Sequence, residues 1–325
     1  MSEDINRRTF LKESLLAGAG AYALHAIGGS AAAEDAKPAE PPKPAANGIP
    51  TGKIGKLDVS RMVLGGNLLT HYTHSRDLQY VYALCAHYNT DAKVMETLAI
   101  AEQHGINTVS MHNPPGPIAI LKKYRKQGGK IQWIICPTAP VQGEMKEYTD
   151  QVRDLVDNGC EAIYLWGVHA DPLVGGNKMD LVRRAVEIPK EMGVPSGVGC
   201  HDLRVVQECE KAKIPCDFYI KTFHHHKYPS APRPDQLGAP LSEVPGYWCQ
   251  NPQATIDTMK AVEKPWIAFK VMAAGAIPPK DAFPYVFDNG ADHMLVGMFD
   301  WEIAPDVEIA KKAIAEAKRE RPWRS

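Results

Sequence analysis

From Lys53 onward the chain alternates between two kinds of segment, and this alternation constrains the fold more than any other feature. Short runs rich in β-branched and aromatic residues are typical of buried strands, and the longer segments between them have the apolar spacing of helices. The pattern predicts strands over 61–67, 107–112, 131–136, 162–169, 196–201, 217–223, 266–272 and 293–299. It predicts helices over 90–104, 117–127, 144–158, 179–192, 203–212, 251–262, 279–288 and 305–319.

The ends of these helices carry the expected signals. Glycine follows several of them, as helix C-caps require, at Gly105, Gly128, Gly159, Gly193 and Gly290. A strand followed by a helix, repeated eight times over about 270 residues, predicts an α/β fold of the (β/α)8 TIM-barrel type. A doubly wound open sheet is the competing fold. It is disfavoured because the turn after the first strand, Gly65-Gly66-Asn67, departs from the glycine-rich GxGxxG pattern.

The N-terminus predicts export. Arg7 and Arg8 precede Thr-Phe-Leu-Lys and a weakly apolar Gly/Ala-rich stretch, a pattern similar to a twin-arginine translocation signal. Ala31-Ala32-Ala33 fits an A-x-A cleavage site, so residues 1–33 are expected to be a signal peptide. We therefore expect a periplasmic or otherwise exported protein that engages the twin-arginine machinery. Because that route carries folded proteins, the seven cysteines need not form a disulfide framework.

The rest of the chain is predicted to consist of a linker and one domain. Residues 34–50 are rich in proline and alanine and are expected to form a linker, and residues 51–325 are expected to form a single barrel domain. The net charge of −1 and the lack of a basic stripe argue against nucleic-acid binding. Outside the signal, no run approaches the ~18–20 apolar residues that a membrane span needs. An oligomer is compatible with the sequence.

Four stretches of the chain resemble the aldo/keto reductase superfamily. "IPTGKIGKLDVSRMVLGGN" is similar to the opening hairpin and first strand of that family, and "ETLAIAEQHGINTVSMH" to its first helix and second strand. "AIYLWGVHADP" resembles the fourth strand, and "NGADHMLVGMFDWEIAPDVEIA" the eighth strand and the helix after it. The resemblance covers residues 52–317 and implies an aldo/keto-reductase-like barrel.

The catalytic residues that the resemblance implies are mostly missing. The family places an Asp–Tyr pair after strand 2, a Lys at the end of strand 3 and a His at the end of strand 4. Here the Asp position falls near Ser110, no tyrosine follows before Tyr124, and the Lys position reads Cys136-Pro137. Only the histidine is retained, as His169. NADP is also disfavoured, because residues 298–310, where the family binds its phosphates, contain four acidic residues and no basic one.

The face of the barrel that should carry the chemistry is rich in histidine. Catalytic groups of such barrels lie at the C-terminal ends of the strands. Four predicted strands end in histidine, at His112, His169, His201 and His224, and His224 begins the run His-His-His at 224–226. Neutral imidazoles from separate strands suit a transition metal such as Zn, with an open position for substrate. The sequence therefore predicts a metal site formed by these four residues.

Four further residues at the strand ends are candidates for acid–base chemistry. Asp202 and Asp300 could orient a metal ligand, and Lys221 and Lys270 could act as a base or hold an oxyanion. Two long insertions, 68–89 and 227–250, are expected to cover the same face as lids or binding loops. Their aromatic residues suit stacking on a sugar-like ring, and contact between copies of the chain is the alternative interpretation.

These observations predict an exported enzyme acting on a small-molecule substrate. The first hypothesis is metal-dependent hydrolysis, elimination or isomerisation of a small oxygenated, carbohydrate-like compound. The second is an NAD(P)-dependent oxidoreductase with an atypical active site. The third is a non-catalytic barrel that binds a ligand through its insertions.

Overall fold

The computed structural model describes residues 48–75, 78–113, 115–237 and 249–325. The predicted signal peptide, linker residues 34–47, and Tyr247 and Trp248 of the second insertion lie outside this range. The predicted export signal therefore stays a prediction. Within the described residues, no helix is both long and apolar enough to cross a bilayer.

Eight parallel strands form a closed barrel, which confirms the predicted α/β fold. A hairpin precedes them, formed by β1 (Thr51–Ile54) and β2 (Leu57–Ser60), which pair in antiparallel fashion. The barrel strands are β3 (Met62–Gly65), β4 (Thr108–His112), β5 (Gln132–Cys136), β6 (Ala162–Leu165), β7 (Ser196–Cys200), β8 (Phe218–Thr222), β9 (Trp266–Phe269) and β10 (His293–Val296). They follow chain order around the barrel, and β10 closes it by pairing with β3.

Helices surround the barrel, and each predicted helix is found. Those in the described residues are α1 (Gln79–Tyr88), α2 (Asp91–Gln103), α3 (Pro115–Lys126), α4 (Lys146–Asp157), α5 (Gly167–Gly175), α6 (Met179–Glu191), α7 (Leu203–Lys211), α8 (Pro252–Ala261), α9 (Pro279–Asp288) and α10 (Asp300–Glu316). A short 3-10 helix, Pro234–Gln236, lies in the second insertion. The insertion 68–89, which the sequence predicts to be a lid or binding loop, contains helix α1.

Two of the differences between the observed and predicted element boundaries affect the site. The predicted strand 162–169 ends at Leu165, and Gly167 begins α5, so His169 lies in the first turn of a helix. An apolar run of this length fits either structure, which is why periodicity alone could not separate them. The last helix begins at Asp300 rather than 305, where the Glu302 side chain accepts a hydrogen bond from the Phe299 N–H at 2.8 Å.

The apolar residues form two layers. One set fills the barrel interior and includes Val63, Ile134, Phe218 and Ile267, together with residues of the β1–β2 hairpin. A larger set packs between the strands and the helices. Because side chains alternate along a strand, six of the barrel strands contribute to both layers, whereas β4 and β7 contribute no apolar residue to the inner one. The interior residues nearest the C-terminal ends form the floor of the site.

Candidate active site

A cavity of about 310 Å³ opens at the C-terminal ends of the barrel strands. All eight barrel strands contribute to its lining, and part of its wall is formed by residues of the first insertion, namely Leu68, Tyr72, Thr73, His74, Ser75 and Val81. The polar residues that line it include Ser110, His112, His201, Lys270 and Glu302. The predicted location of the site therefore coincides with a cavity of the size that small ligands occupy.

One of the residues that line this cavity, His201, is paired with a carboxylate. The Nδ1 atom of His201 is 2.8 Å from Oδ2 of Asp171, and the backbone N–H groups of His201 and Asp202 donate to Oδ1 of the same carboxylate at 3.1 Å. A carboxylate held by two backbone donors fixes the imidazole with its hydrogen on Nδ1. Asp171 belongs to α5, so the helix that replaces the end of the predicted strand supplies the partner of His201.

Lys270 follows β9 directly and lines the same cavity. Its backbone φ of 56° lies in the left-handed region, which a residue with a Cβ rarely adopts. The Nζ atom lies 5.2 Å from the centre of the Phe269 ring. Strained backbone held by its surroundings is common at functional sites, where it aims a side chain.

The contacts of His224 show what the triple histidine does. Its Nδ1–H donates to the Lys270 carbonyl at 2.9 Å, and its Nε2 accepts the Cys249 N–H at 2.9 Å. His226 Nε2 donates to the Cys249 carbonyl at 2.5 Å. Burial lowers the pKa of His224 to about 3, so its ring is neutral. His224 and His226 thus act as a clamp on the backbone, and we call this pair the histidine clamp.

The predicted metal site is not assembled. His112 and His201 line the cavity, whereas the lining found among the described residues does not include His169 or His224. Both ring nitrogens of His224 are bonded to backbone groups. Within the described residues, no three His, Cys, Asp or Glu side chains come together in a way that could hold a metal ion. The ligand set that the sequence predicted therefore does not fit a transition metal, and no catalytic step is derived through one.

Aromatic rings surround His112 and His169. The His112 ring lies parallel to Trp166, with centroids 6.0 Å apart, and its centroid is 5.4 Å from that of Tyr72. The His169 ring lies edge-on to Trp166, with centroids 5.4 Å apart. Burial lowers the pKa of His169, and its Nδ1 is buried without a hydrogen-bond partner among the described residues. The mouth of the cavity is thus walled by flat rings.

Three of the four predicted acid–base residues lie outside the cavity lining found in the described residues. Lys221 is almost fully buried, and its Nζ donates to the Thr222 carbonyl at 2.8 Å. Asp202 caps the start of α7 and pairs with Arg204. Asp300 accepts hydrogen bonds from the Tyr88 hydroxyl at 2.7 Å and from Lys93, which tie α1 and α2 to α10. Of the four, Lys270 alone lines the cavity.

The rim after β10 does not fit a nucleotide phosphate. The start of α10 would be the natural anion site there, because helix N-termini present unpaired N–H groups. The Glu302 carboxylate already accepts the Phe299 N–H at 2.8 Å, and Glu302 itself lines the cavity. A phosphate would meet this carboxylate rather than a free donor. The residues at this rim therefore do not fit the phosphates of NAD(P).

Sequence reasoning missed Asp171. It follows His169 by two residues in "WGVHADP", and the signal that could have found it is a carboxylate within one helical turn of a strand end. Ser110 was recognised only as the position of a missing aspartate. Its hydroxyl is buried, faces the cavity region and has no hydrogen-bond partner among the described residues.

No protein-family model and no curated protein sequence matches this chain. The chain is similar in structure to a Gox0644 mutant in complex with NADPH, with a TM-score of 0.51 and 10% identity over 81% of this chain and 91% of that one. It is also similar to a mandelate oxidase mutant with the C4a-OH-FMN adduct, with a TM-score of 0.50 and 12% identity over 84% of this chain and 80% of that one. The fold is a (β/α)8 barrel. At such low identity the likeness establishes the fold and nothing further.

Proposed function

We propose that this protein is an exported enzyme that transfers protons on a small oxygenated, carbohydrate-like substrate, in an isomerisation or an elimination. The observation that carries the proposal is the His201–Asp171 pair, 2.8 Å apart, whose histidine lines the cavity at the C-terminal ends of the strands. An imidazole oriented by a carboxylate is a common general acid–base arrangement.

In this mechanism His201 acts as the base through Nε2, because Nδ1 is held by Asp171. Nε2 takes a proton from the carbon next to a carbonyl group, and the electron pair of the broken C–H bond forms a C=C bond. The carbonyl π electrons move to oxygen, giving an enediolate. In an isomerisation, the imidazolium returns the proton to the former carbonyl carbon, and the hydroxyl proton on the neighbouring carbon passes to the alkoxide oxygen, which moves the carbonyl group by one position. In an elimination, the imidazolium instead protonates the hydroxyl group on the next carbon, which leaves as water while the carbonyl group re-forms and the C=C bond shifts by one position. Asp171 stabilises the imidazolium that forms.

Lys270 would stabilise the developing enediolate oxygen. Its ammonium group lies on a residue that lines the cavity, after a strand two positions from the strand that carries His201. A cation placed where negative charge develops contributes more in a site sheltered from water than on the surface. The flat rings of Tyr72 and Trp166 suit stacking on a carbohydrate-like substrate.

Proton exchange with D2O tests the proposal without knowledge of the natural substrate. Dihydroxyacetone, D-fructose, D-xylose and D-glucose would be incubated in D2O with the purified protein, and loss of the C–H signals next to the carbonyl would be followed by NMR. We expect exchange on at least one compound, and a loss of about 10²–10⁴-fold in the His201→Asn variant. His104→Asn, at the end of α2, is the control. Exchange that persists in His201→Asn protein would contradict the proposal.

Export is proposed on the N-terminal sequence alone. Replacing Arg7 and Arg8 together by lysine should retain the protein in the cytoplasm, because the twin-arginine machinery reads the arginine pair. Cell fractionation of a twin-arginine-competent bacterium producing the full chain would measure this. Export of the double variant at the normal level would contradict it.

A further inference from the structure

Ser110 presents a buried hydroxyl at the floor of the cavity that the proposed mechanism does not use. The residue is 2% exposed and lies in β4, where strand alternation directs its side chain into the barrel. Its Oγ is buried and makes no hydrogen bond to any described residue. A buried unpaired hydroxyl normally destabilises a folded protein, so its retention in a ligand cavity points to a partner that arrives with the ligand.

The neighbours of Ser110 in the sheet cannot satisfy this hydroxyl with side chains. The register places Gly65 on one side and Ile134 on the other, one without a side chain and the other apolar. The Ser110 carbonyl is already engaged by the Gly66 N–H at 2.8 Å. A Cβ at Gly66 would lie 2.2 Å from the Met111 Cβ, so this part of the floor is closely packed around its glycines.

The position of Ser110 relative to the proposed acid–base groups defines the substrate. Strand β4 is three positions around the barrel from β7, which precedes His201, and three positions from β9, which precedes Lys270. The Ser110 hydroxyl therefore lies on a part of the cavity wall away from His201 and Lys270, where the reacting end of the substrate would bind. A ligand that reaches it must carry an oxygen beyond those of the hydroxy-carbonyl group.

We infer that Ser110 forms an oxygen-binding subsite at the cavity floor, and that the substrate is a polyhydroxylated carbonyl compound longer than three carbons. The inference rests on the proposed function for the identity of the reacting end. The Ser110 hydroxyl donates to, or accepts from, a hydroxyl group on the distal part of the substrate.

Binding measurements separate this inference from the catalytic proposal. D-Fructose, D-xylose and dihydroxyacetone would be titrated by calorimetry into His201→Asn protein, in which turnover is suppressed, with and without Ser110→Ala. We expect a five- or six-carbon sugar to bind more tightly than dihydroxyacetone. Ser110→Ala should weaken the sugar by about fivefold, the loss expected for one neutral hydrogen bond, and leave dihydroxyacetone unchanged. Binding without D2O exchange would contradict the proposed function and leave this inference standing.

Ser196→Ala is the matched control. Ser196 is also a fully buried serine on a barrel strand whose Oγ has no partner among the described residues, but it is not among the residues that line the cavity there. Its replacement should leave sugar binding unchanged. In the unliganded protein, neither substitution should lower the urea midpoint of unfolding.

Three results would overturn the inference. One is sugar binding unaffected by Ser110→Ala. Another is a lower unfolding midpoint in unliganded Ser110→Ala protein than in Ser196→Ala protein, which would show that the hydroxyl has a structural partner. The third is the absence of binding by either sugar to protein with Ser110 intact, which would exclude the inferred substrate class.

Discussion

The Nδ1–H of His224 donates to the carbonyl oxygen of Lys270 at 2.9 Å, across the ends of two neighbouring strands. The bond explains the first member of the triple histidine. Lys270 has a φ of 56°, in the left-handed region. The His224 side chain, just after the end of β8, holds the Lys270 carbonyl and so stabilises the left-handed turn that follows β9. A sequence feature typical of a metal site is here part of the scaffold that supports Lys270.

The first prediction concerns this contact. His224→Ala would leave the Cys249 N–H buried without its partner, which destabilises by about 1–3 kcal/mol. It would also remove one of the hydrogen bonds to the Lys270 carbonyl, which accepts another from the Ala273 N–H at 3.0 Å. We expect the free energy of unfolding to fall by about 2–4 kcal/mol, measured by urea denaturation.

His225→Ala is the control for that measurement. His225 is partly exposed and contacts Tyr285 edge-on at 5.0 Å, so its loss should cost less than about 1 kcal/mol. Equal destabilisation by the two substitutions would contradict the assigned role of the histidine clamp.

The second prediction concerns stability in acid. Burial lowers the pKa of His293 to about 4 and that of His224 to about 3, from 6.5. Below pH 6.5 these two histidines bind protons in the unfolded chain but stay neutral in the folded chain. The free energy of unfolding is therefore highest above pH 6.5 and falls as the pH decreases toward the folded-state pKa values. Each histidine contributes a slope of up to about 1.4 kcal/mol per pH unit. Urea unfolding at intervals from pH 7 to 4.5 measures this, and a rise in stability over that range would contradict it.

The third prediction concerns Asp306, whose contribution to stability has the opposite pH dependence to that of the histidines. Burial and the neighbouring Glu302 raise the pKa of Asp306 from 3.8 to about 6. A raised carboxyl pKa gives stability that is present below pH 3.8 and lost as the pH rises through 6. Asp306→Asn should therefore stabilise the protein by about 1–2 kcal/mol at pH 8 and have little effect at pH 4.

The exposed residue Glu308 on the same helix provides the comparison for Asp306. Glu308→Gln removes a surface pair with Lys311 and should change stability by less than about 0.5 kcal/mol at either pH. If Asp306→Asn behaves like Glu308→Gln at pH 8, the charge of Asp306 does not destabilise the fold.

The fourth prediction concerns metal content. Mature protein starting at Glu34, exported in its native host and never exposed to chelator, should contain well below one equivalent of any transition metal by plasma mass spectrometry. The reason is that the two ring nitrogens of His224 are committed to backbone groups and that no metal-binding cluster occurs in the described residues. One equivalent of metal that is lost in His112→Ala or His201→Ala protein would restore the metal-dependent hypothesis.

The framework of the barrel was predictable from sequence because burial on both faces gives parallel strands a strong apolar signature. The same signature hid the boundary between β6 and α5, and with it Asp171, because an apolar run does not show where a strand becomes a helix. The histidines were correctly expected near the strand ends. Which of these histidine side chains point into the cavity depends on the residues that they contact, and those residues are distant in the sequence.

Lys221 shows the limit of strand-end reasoning. By position it lies near the C-terminal end of β8, where catalytic groups are expected. Alternation along β8, however, places Ile220 in the barrel interior and directs Lys221 to the opposite face of the strand. Ser110 shows the converse. It stands near the position where the family resemblance implies a catalytic aspartate, so the sequence indicated only that a catalytic residue is missing. The structure shows a buried hydroxyl at that position.

The most direct test of the account is the D2O exchange rate of Asp171→Asn protein. The account predicts a fall in exchange kcat of about 10²–10⁴-fold, since asparagine cannot stabilise the imidazolium of His201, with a much smaller change in KM. Asp217→Asn, which removes a carboxylate that accepts the Ser196 N–H at the start of β7, should keep the wild-type rate. Wild-type exchange in Asp171→Asn protein would contradict the central claim that His201 and Asp171 act together as the acid–base pair.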